Sequence, residues 1–170
     1  GLMDNCLLIL KAINTLNEGH FHFVFIGDGS ERNELEEYTR QHNLDNVHFL
    51  GLQPKTEVIK WFKVAQASVV TFKNYEILQT SSPNKLFDSL AAGVPVIQNT
   101  TGWIKELIDE RKCGINVSPE NEHEMANAFD LIMKNSKKRD EMAQNARECA
   151  LELFNRDTLA NDYIKRILTL

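Results

Sequence analysis

Short apolar runs alternate with longer amphipathic stretches along most of the chain. The apolar runs are rich in β-branched and aromatic residues, which is typical of buried strands. They predict five strands, at residues 21–26, 46–50, 68–72, 94–97 and 114–117. Between these runs, apolar residues recur at helical spacing. This spacing predicts five helices, at residues 6–16, 30–42, 56–66, 82–92 and 104–110.

After Pro119 the alternation stops. Three helices are predicted in succession, at residues 122–133, 137–153 and 158–168. Strands that alternate with helices form βαβ units with a parallel sheet and right-handed crossovers. The pattern therefore predicts one α/β domain over residues 1–170, a Rossmann-like parallel sheet flanked by helices, with an all-helical C-terminal tail. Such folds usually begin with a strand, so we expect a first strand upstream of Gly1.

The ends and faces of single helices can also be predicted. Thr56 is expected to cap the helix at residues 56–66, with Val58, Ile59 and Phe62 as its buried stripe. Gly93 is expected to end the helix at residues 82–92 in the left-handed conformation. In parallel sheets, ligands bind outside the carboxyl ends of the strands. The candidate ligand loops are therefore residues 27–30, 51–53, 73–85 and 99–102.

Composition narrows the class of protein. The chain has 170 residues, of which 42% are hydrophobic and 25% charged, values that are ordinary for a globular domain with one core. The net charge of −5 argues against a nucleic-acid partner, because such proteins usually carry a basic face. The apolar runs are too short for a transmembrane helix, which needs about 20 residues. The three scattered cysteines favour reduced thiols and a cytoplasmic location.

The turn after the first predicted strand contains Gly27 and Gly29. Glycines at this place would let a ligand approach the backbone closely, although a plain tight turn explains them equally well. The turn is not a dinucleotide fingerprint, because Arg32 occupies the third glycine position and no acidic residue closes the next strand. A hydride-transferring enzyme is therefore disfavoured.

The strongest local signal lies at residues 81–88. Ser82 suits the N-cap of the next helix and Pro83 its first helical position. Free N–H groups and the helix dipole would then face the sheet's carboxyl edge and form a phosphate site. Lys85 adds a cation, and Asp88 lies about 7.5 Å farther along the helix axis, a separation that suits a ribose-binding carboxylate. An ordinary capped helix with a Lys85–Asp88 surface pair remains the alternative.

The ordered set of segments resembles a known family. Residues 23–29, 46–51, 82–88 and 91–97, in this order and at this spacing, resemble the C-terminal, donor-binding half of GT-B-fold retaining glycosyltransferases of family 4. The resemblance implies a nucleotide-sugar donor, usually a UDP-sugar, and transfer with retention to an acceptor glycan or lipid-linked glycan. It is nearest to a subgroup that acts on amino-sugars and deoxysugars in surface-polysaccharide biosynthesis.

The resemblance also implies roles for single residues. The family's Glu-x7-Glu pattern places its second acid on Asp88, which would bind the ribose, whereas its first falls on Thr80, which is not acidic. In the subgroup, Lys85 and the nearby backbone meet the diphosphate, and Leu52 contacts the base. The candidate donor-binding residues are Gly27, Gly29, Leu52, Ser81, Ser82, Pro83, Asn84, Lys85 and Asp88.

In such enzymes the acceptor site and the catalytic histidine lie in an N-terminal half. The resemblance therefore implies no catalytic residue in this chain and little or no activity of the chain alone. The expected partners are the UDP-sugar donor, the chain's own N-terminal GT-B domain and the acceptor, without nucleic acid. No cofactor and no metal are expected, because the helix and Lys85 supply the counter-charge. The full enzyme is expected in the cytoplasm or peripherally at the inner face of the membrane.

The last predicted helix would pack on the N-terminal half in relatives. Its residues Leu159, Tyr163, Ile164 and Ile167 are therefore expected to be exposed in this chain. Two alternative functions remain. One is a UDP-sugar 2-epimerase-like enzyme, although its relatives usually have acidic residues and glycine where residues 81–84 read Ser-Ser-Pro-Asn. The other is a non-catalytic nucleotide-sugar-binding or assembly module.

Overall fold

A computed structural model describes residues 3–16 and 21–168 of the chain. It confirms the predicted alternation, with element bounds that differ from the predicted ones by a few residues. The elements are α1 (Cys6–Asn14), β1 (Phe23–Ile26), α2 (Arg32–Gln41), β2 (Val47–Gly51), α3 (Lys55–Val64), β3 (Ser68–Val70), α4 (Asn84–Ala92), β4 (Val96–Gln98), α5 (Trp103–Arg111), β5 (Gly114–Asn116), α6 (Glu122–Lys134), α7 (Ser136–Leu153) and α8 (Arg156–Leu168). The predicted loop after β3 contains a short 3-10 helix, Glu76–Thr80.

All strand pairs that the structure describes are parallel, as predicted, but they form two sheets rather than one. β1 pairs with β2, and β4 lies between β3 and β5. Within the described residues, no ladder of hydrogen bonds joins β1 to β3. The predicted fold class, parallel strands flanked by helices, is confirmed, and within the described residues a groove separates the two sheets.

The structure has two apolar cores. The first contains residues of α1, α2 and α6, among them the fully buried Leu10, Ala12 and Met125, and it also includes Ile97 of β4, so it extends across both sheets. In the second, α4, α5 and α7 pack over β3 and β4, and Leu86 and Leu90 are fully buried. These two leucines face the core, which orients α4 relative to the strands. Gly93 ends α4 in the left-handed region, with φ +69°, and this prediction is confirmed.

α3 differs from its predicted cap and from its predicted buried face. The helix begins at Lys55 after Pro54, so Thr56 lies inside it and does not cap it. No residue of α3 is buried. Val58 and Phe62 are partly exposed, and Ile59 is 47% exposed, so the predicted buried stripe is wrong. α3 lies beside the groove between the two sheets, which provides no strand for this stripe to cover.

The cysteines and the last helix match their predictions. Cys6, Cys113 and Cys149 are free thiols; the last two are buried, and burial raises the pKa of Cys113 to about 12. On α8 the large apolar side chains are more than half exposed: Leu159, Tyr163, Ile164 and Ile167.

One side-chain amide connects the segments that leave β3 and β4. The Oδ1 of Asn99 accepts a hydrogen bond from the N–H of Phe72, and its Nδ2 donates to the Phe72 carbonyl, both at 2.8 Å. Asn99 is only 2% exposed. The two loops at the carboxyl edge are therefore held together by one buried residue.

Replacing this amide should destabilise the fold. We expect Asn99→Leu to lower the free energy of unfolding by about 2–4 kcal/mol, because it leaves both buried polar groups of Phe72 without a partner. Urea unfolding followed by circular dichroism measures the change. Gln41→Leu removes an exposed amide that donates to Glu37 and should stay within about 0.5 kcal/mol of the unchanged chain. Equal effects of the two substitutions would contradict this role of Asn99.

Candidate functional site: the carboxyl edge of the sheets

The loops that follow the strands meet at one edge of the molecule. Gly27 and Gly29 after β1, Thr71 after β3, and Lys85 on α4 line the same end of the groove, and Asp4 joins them from the start of α1. The structure therefore brings three of the predicted site residues together, Gly27, Gly29 and Lys85. Leu52, residues 81–84 and Asp88 lie outside this lining.

The turn after β1 is open to a ligand. Gly27 has φ +133°, a conformation that favours glycine, and its N–H donates to the Gly51 carbonyl at 2.8 Å. No atom lies within 4 Å of the place where a Cβ would stand on Gly27. The Asp28 carboxylate accepts the N–H of Gly29 at 2.8 Å, which keeps the turn in shape. A ligand could therefore reach this backbone closely.

The start of α4 differs from its prediction. The helix begins at Asn84, with Pro83 at the N-cap in an extended conformation (ψ 133°), and no side chain caps it. The Ser82 cap and the helical position of Pro83 are therefore wrong. A proline favours extended backbone in the residue before it, which keeps Ser82 outside the helix.

The missing cap leaves backbone donors available. Within the described part of the chain, no group accepts a hydrogen bond from the N–H of Ser82, Asn84 or Lys85. Trp103 donates its indole N–H to the Ser81 carbonyl at 3.0 Å, which anchors the segment just before them. Three N–H groups at the positive end of a helix form a site that favours an anion.

Lys85 and Asp88 each have an ionic partner outside α4. The Nζ of Lys85 lies 2.5 Å from the Oδ1 of Asp4 and 5.3 Å from the centre of the Phe72 ring. The Oδ1 of Asp88 lies 3.5 Å from the Nζ of Lys55. The alternative Lys85–Asp88 surface pair is therefore not formed.

The Asp88–Lys55 pair also locates the loop after β2. Lys55 begins α3, three residues after Leu52, whose side chain is 77% exposed. The ion pair therefore brings this loop next to the first turns of α4. Leu52 offers a largely exposed apolar surface there.

Sequence reasoning did not find three charged residues of this edge. Asp4 pairs with Lys85, and Glu31 pairs with Lys73 at 2.6 Å. Burial by itself raises the pKa of Asp4, but nearby positive charge, including the hydrogen-bonded Lys85, outweighs it and lowers the pKa below its usual value. The hydrogen bond to Glu31 raises the pKa of Lys73. No local pattern marks these contacts.

The described residues contain no group of three or more histidines, cysteines or acidic residues placed to hold a metal ion. They also contain no helix long and apolar enough to cross a membrane.

Comparison with known proteins identifies the family of this chain. The profile of the family Glycosyl transferases group 1 matches residues 3–149. The chain belongs to this family. A group 1 glycosyltransferase domain therefore carries the site described above.

Individual relatives are distant and longer. An uncharacterized glycosyltransferase of Methanocaldococcus jannaschii, MJ1607, is 25% identical over 160 residues, which cover 92% of this chain and 39% of that protein. Spore coat protein SA of Bacillus subtilis is 23% identical over 167 residues, 92% of this chain and 43% of that protein. The chain thus spans about two fifths of the length of these curated relatives.

A solved structure shows the same fold. The group 1 glycosyltransferase domain matches Anabaena Alr3699/HepE, solved in complex with UDP, with a TM-score of 0.81 and 17% identity. The match covers the whole chain and 46% of the Anabaena protein. The chain therefore has the α/β architecture of one part of GT-B glycosyltransferases.

The Asp4–Lys85 pair should contribute to stability in a pH-dependent way. We expect Asp4→Asn to lower the free energy of unfolding by about 0.5–1 kcal/mol at pH 7, a small value because Lys85 is partly exposed. A carboxyl group with a lowered pKa stabilises the fold above its unfolded pKa and loses this effect as the pH falls through its folded pKa. The difference between the two chains should therefore shrink from pH 5 towards pH 3, as urea unfolding can measure.

A second carboxylate provides the control. Asp130→Asn removes an exposed pair with Lys134 on α6, and we expect a smaller change at pH 7. A difference between Asp4→Asn and the unchanged chain that stays constant down to pH 3 would rule out this role for Asp4.

Proposed function

We propose that this chain is the donor-binding half of a retaining glycosyltransferase of family 4 that uses a UDP-sugar. The proposal rests on the N-terminus of α4. The backbone N–H groups of Ser82, Asn84 and Lys85 have no described acceptor there, and the side chain of Lys85 adds a positive charge. This arrangement suits a diphosphate, which needs several donors and positive charge. The family membership favours a nucleotide-sugar over other phosphorylated ligands.

The ion pairs of the edge suggest how the donor enters. The diphosphate would lie against the first turn of α4 and take the place of Asp4 as the partner of Lys85. The ribose hydroxyls would take the place of Lys55 beside Asp88. The base would cover Leu52, and the open turn at Gly27 and Gly29 would leave room for the sugar-phosphate end of the donor.

The same residues would act during transfer. When the bond between the sugar and the diphosphate breaks, negative charge grows on the leaving UDP. The dipole of α4 and the Lys85 ammonium are already oriented towards it, so they stabilise the charge with little reorganisation. Because these groups supply the counter-charge, the proposal needs no metal and no cofactor.

Uridine as the base is supported by similarity. The Anabaena protein has also been solved with UDP-glucose, at 18% identity to this chain and a TM-score of 0.81. Following the resemblance of residues 82–88, we propose an amino-sugar or deoxysugar as the transferred group and surface-polysaccharide biosynthesis as the context. The acceptor would be a glycan or a lipid-linked glycan, met in the cytoplasm or at the inner face of the membrane.

The reaction would need an N-terminal half of the protein. Acceptor binding and the catalytic histidine would lie there, and closure of the two halves would exclude water from the donor. The apolar side chains exposed along α8, Leu159, Tyr163, Ile164 and Ile167, would pack on that half.

UDP binding tests the proposal. We expect UDP to bind the chain and, at 100 times its dissociation constant, to stabilise it by about 2.7 kcal/mol in a thermal-shift assay. GDP, ADP and uridine should shift the melting temperature much less. Lys85→Met and Asp88→Ala should each raise the dissociation constant for UDP by about 10- to 100-fold in calorimetry, because each removes a charged hydrogen-bonding partner.

Matched variants on α6 distinguish the site from general charge effects. Lys134→Met and Asp130→Ala remove the same residue types from an exposed pair away from the carboxyl edge, and both should bind UDP like the unchanged chain. If UDP bound but Lys85→Met and Asp88→Ala left its affinity unchanged, α4 would not be the donor site. Absence of UDP binding would contradict the donor-binding function itself.

Activity should require more than this chain. We expect purified residues 1–170 to transfer no radiolabelled sugar from UDP-sugars to acceptor glycans, because the proposed catalytic histidine lies elsewhere. Transfer above the enzyme-free background would show that the chain contains its own catalytic group. The full protein provides the positive control.

A further inference from the structure

The indole of Trp103 contacts the segment that leads into α4. Trp103 is the first residue of α5, and its Nε1 donates a hydrogen bond to the carbonyl oxygen of Ser81 at 3.0 Å. We propose that Trp103 is a positioning residue for the anion site at the N-terminus of α4, because it sets the direction in which the N–H of Ser82 points. The inference rests on the proposed function, since it concerns the diphosphate of the donor.

The carbonyl of Ser81 and the N–H of Ser82 belong to one peptide unit. This unit is planar and trans, so its carbonyl and its N–H point in opposite directions. An indole that holds the carbonyl towards α5 therefore turns the N–H away from α5. Ser82 is exposed, and within the described residues no group accepts its N–H. The hydrogen bond from Trp103 thus fixes the orientation of a donor at the surface.

Of the three proposed donors, Ser82 is the one that needs a constraint from outside α4. Asn84 and Lys85 belong to the first turn of the helix, where the helical backbone orients their N–H groups. Ser82 lies before the helix, and no helical geometry fixes its peptide plane. The contact from Trp103 supplies this constraint. It also polarises the peptide, which makes the Ser82 N–H a stronger donor to an anion.

The ring of Trp103 is itself packed against α4. It lies nearly parallel to the ring of Phe87, with centroids 6.2 Å apart and planes inclined by 20°. Phe87 in turn meets Phe154 edge to face at 4.9 Å. Ile104, the residue after Trp103, is fully buried in the second core. The indole is therefore held in place before any ligand binds, as the positioning of a binding group requires.

A second contact joins the start of α5 to the same segment. The Oε1 of Gln79 accepts hydrogen bonds from the N–H of Thr101 at 2.6 Å and from its hydroxyl at 3.0 Å. A Cβ on Gly102 would clash with the carbonyl oxygen of Gln79, so only glycine fits there. Residues 101–103 therefore contact residues 79–81 in succession. The hydrogen bond of Trp103 is one part of this connection and not an isolated contact.

Nuclear magnetic resonance with inorganic pyrophosphate tests the inference in the unchanged chain. We expect pyrophosphate to move the amide proton resonances of Ser82, Asn84 and Lys85 downfield, because each N–H gains an oxygen acceptor. The indole proton of Trp103 should move in the same direction, since an anion on the N–H makes the carbonyl of that peptide a stronger acceptor. The indole proton of Trp61, on the last turn of α3, is the internal control and should not move.

A variant separates positioning from general support of the fold. Trp103→Phe keeps an aromatic ring but removes the indole N–H, and we expect it to raise the dissociation constant for UDP by about three- to tenfold in calorimetry. It should reduce the pyrophosphate-induced shift of Ser82 but not those of Asn84 and Lys85. A purely structural role would change all three shifts together. Trp61→Phe makes the same substitution away from α4 and should bind UDP like the unchanged chain.

Three results would overturn the positioning role. The first is equal affinity of Trp103→Phe and the unchanged chain for UDP, and the second is an equal loss of all three amide shifts in this variant. The third needs no variant: it is an indole resonance of Trp103 that stays fixed while pyrophosphate moves the Ser82 amide.

The proposed function fails in a different way. A chain that binds pyrophosphate at Ser82 with the expected response of Trp103, but does not bind UDP, would retain the positioning role and lose the donor-binding function. A chain that binds neither pyrophosphate nor UDP would overturn both.

Discussion

The packing of α4 against β3, β4 and α7 determines the rest of the site. Leu86 and Leu90 are fully buried there, and they fix both the rotation of the helix and the direction of its axis. As a result the first turn of α4 opens at the carboxyl edge of the strands. Full burial of a leucine is worth roughly 1.5–3 kcal/mol, so two such anchors hold the helix against the charge that gathers at its end.

The charges around this helix end are balanced within the chain. Lys55, Lys73 and Lys85 each have a carboxylate partner, from Asp88, Glu31 and Asp4 respectively. These pairs are partly exposed, so each is weak and can exchange its partner at little cost. A diphosphate that replaced Asp4 beside Lys85 would gain the three N–H groups of α4 in addition. This difference gives a bound anion an advantage over the internal carboxylate.

Local patterns were sufficient for the elements and for the placement of α4. The apolar spacing and Gly93 located the helix, and the glycines at 27 and 29 marked the turn beside its N-terminus. The patterns failed where contacts join distant residues. Asp4 and Lys85 are 81 positions apart, and Glu31 and Lys73 are 42 apart, so no window along the chain contains either pair. The residue type of Ser82 suits an N-cap, but Pro83 next to it favours extended backbone at Ser82. Ser82 therefore does not cap α4.

The predicted burial of the apolar stripe on α3 is wrong for a different reason. Its residues have the spacing of a buried helix face, yet none of them is buried in the described structure. Apolar spacing shows which face of a helix is suited to burial, but not whether another element covers that face. Because α3 connects β2 to β3, this face lies over the space between β1 and β3. The groove beside this helix is lined by Val58 and Phe62 of α3 and by Val24 and Val69 of the strands on either side. The stripe therefore faces the space between the two sheets and not the surface of a strand, which is why its spacing does not lead to burial.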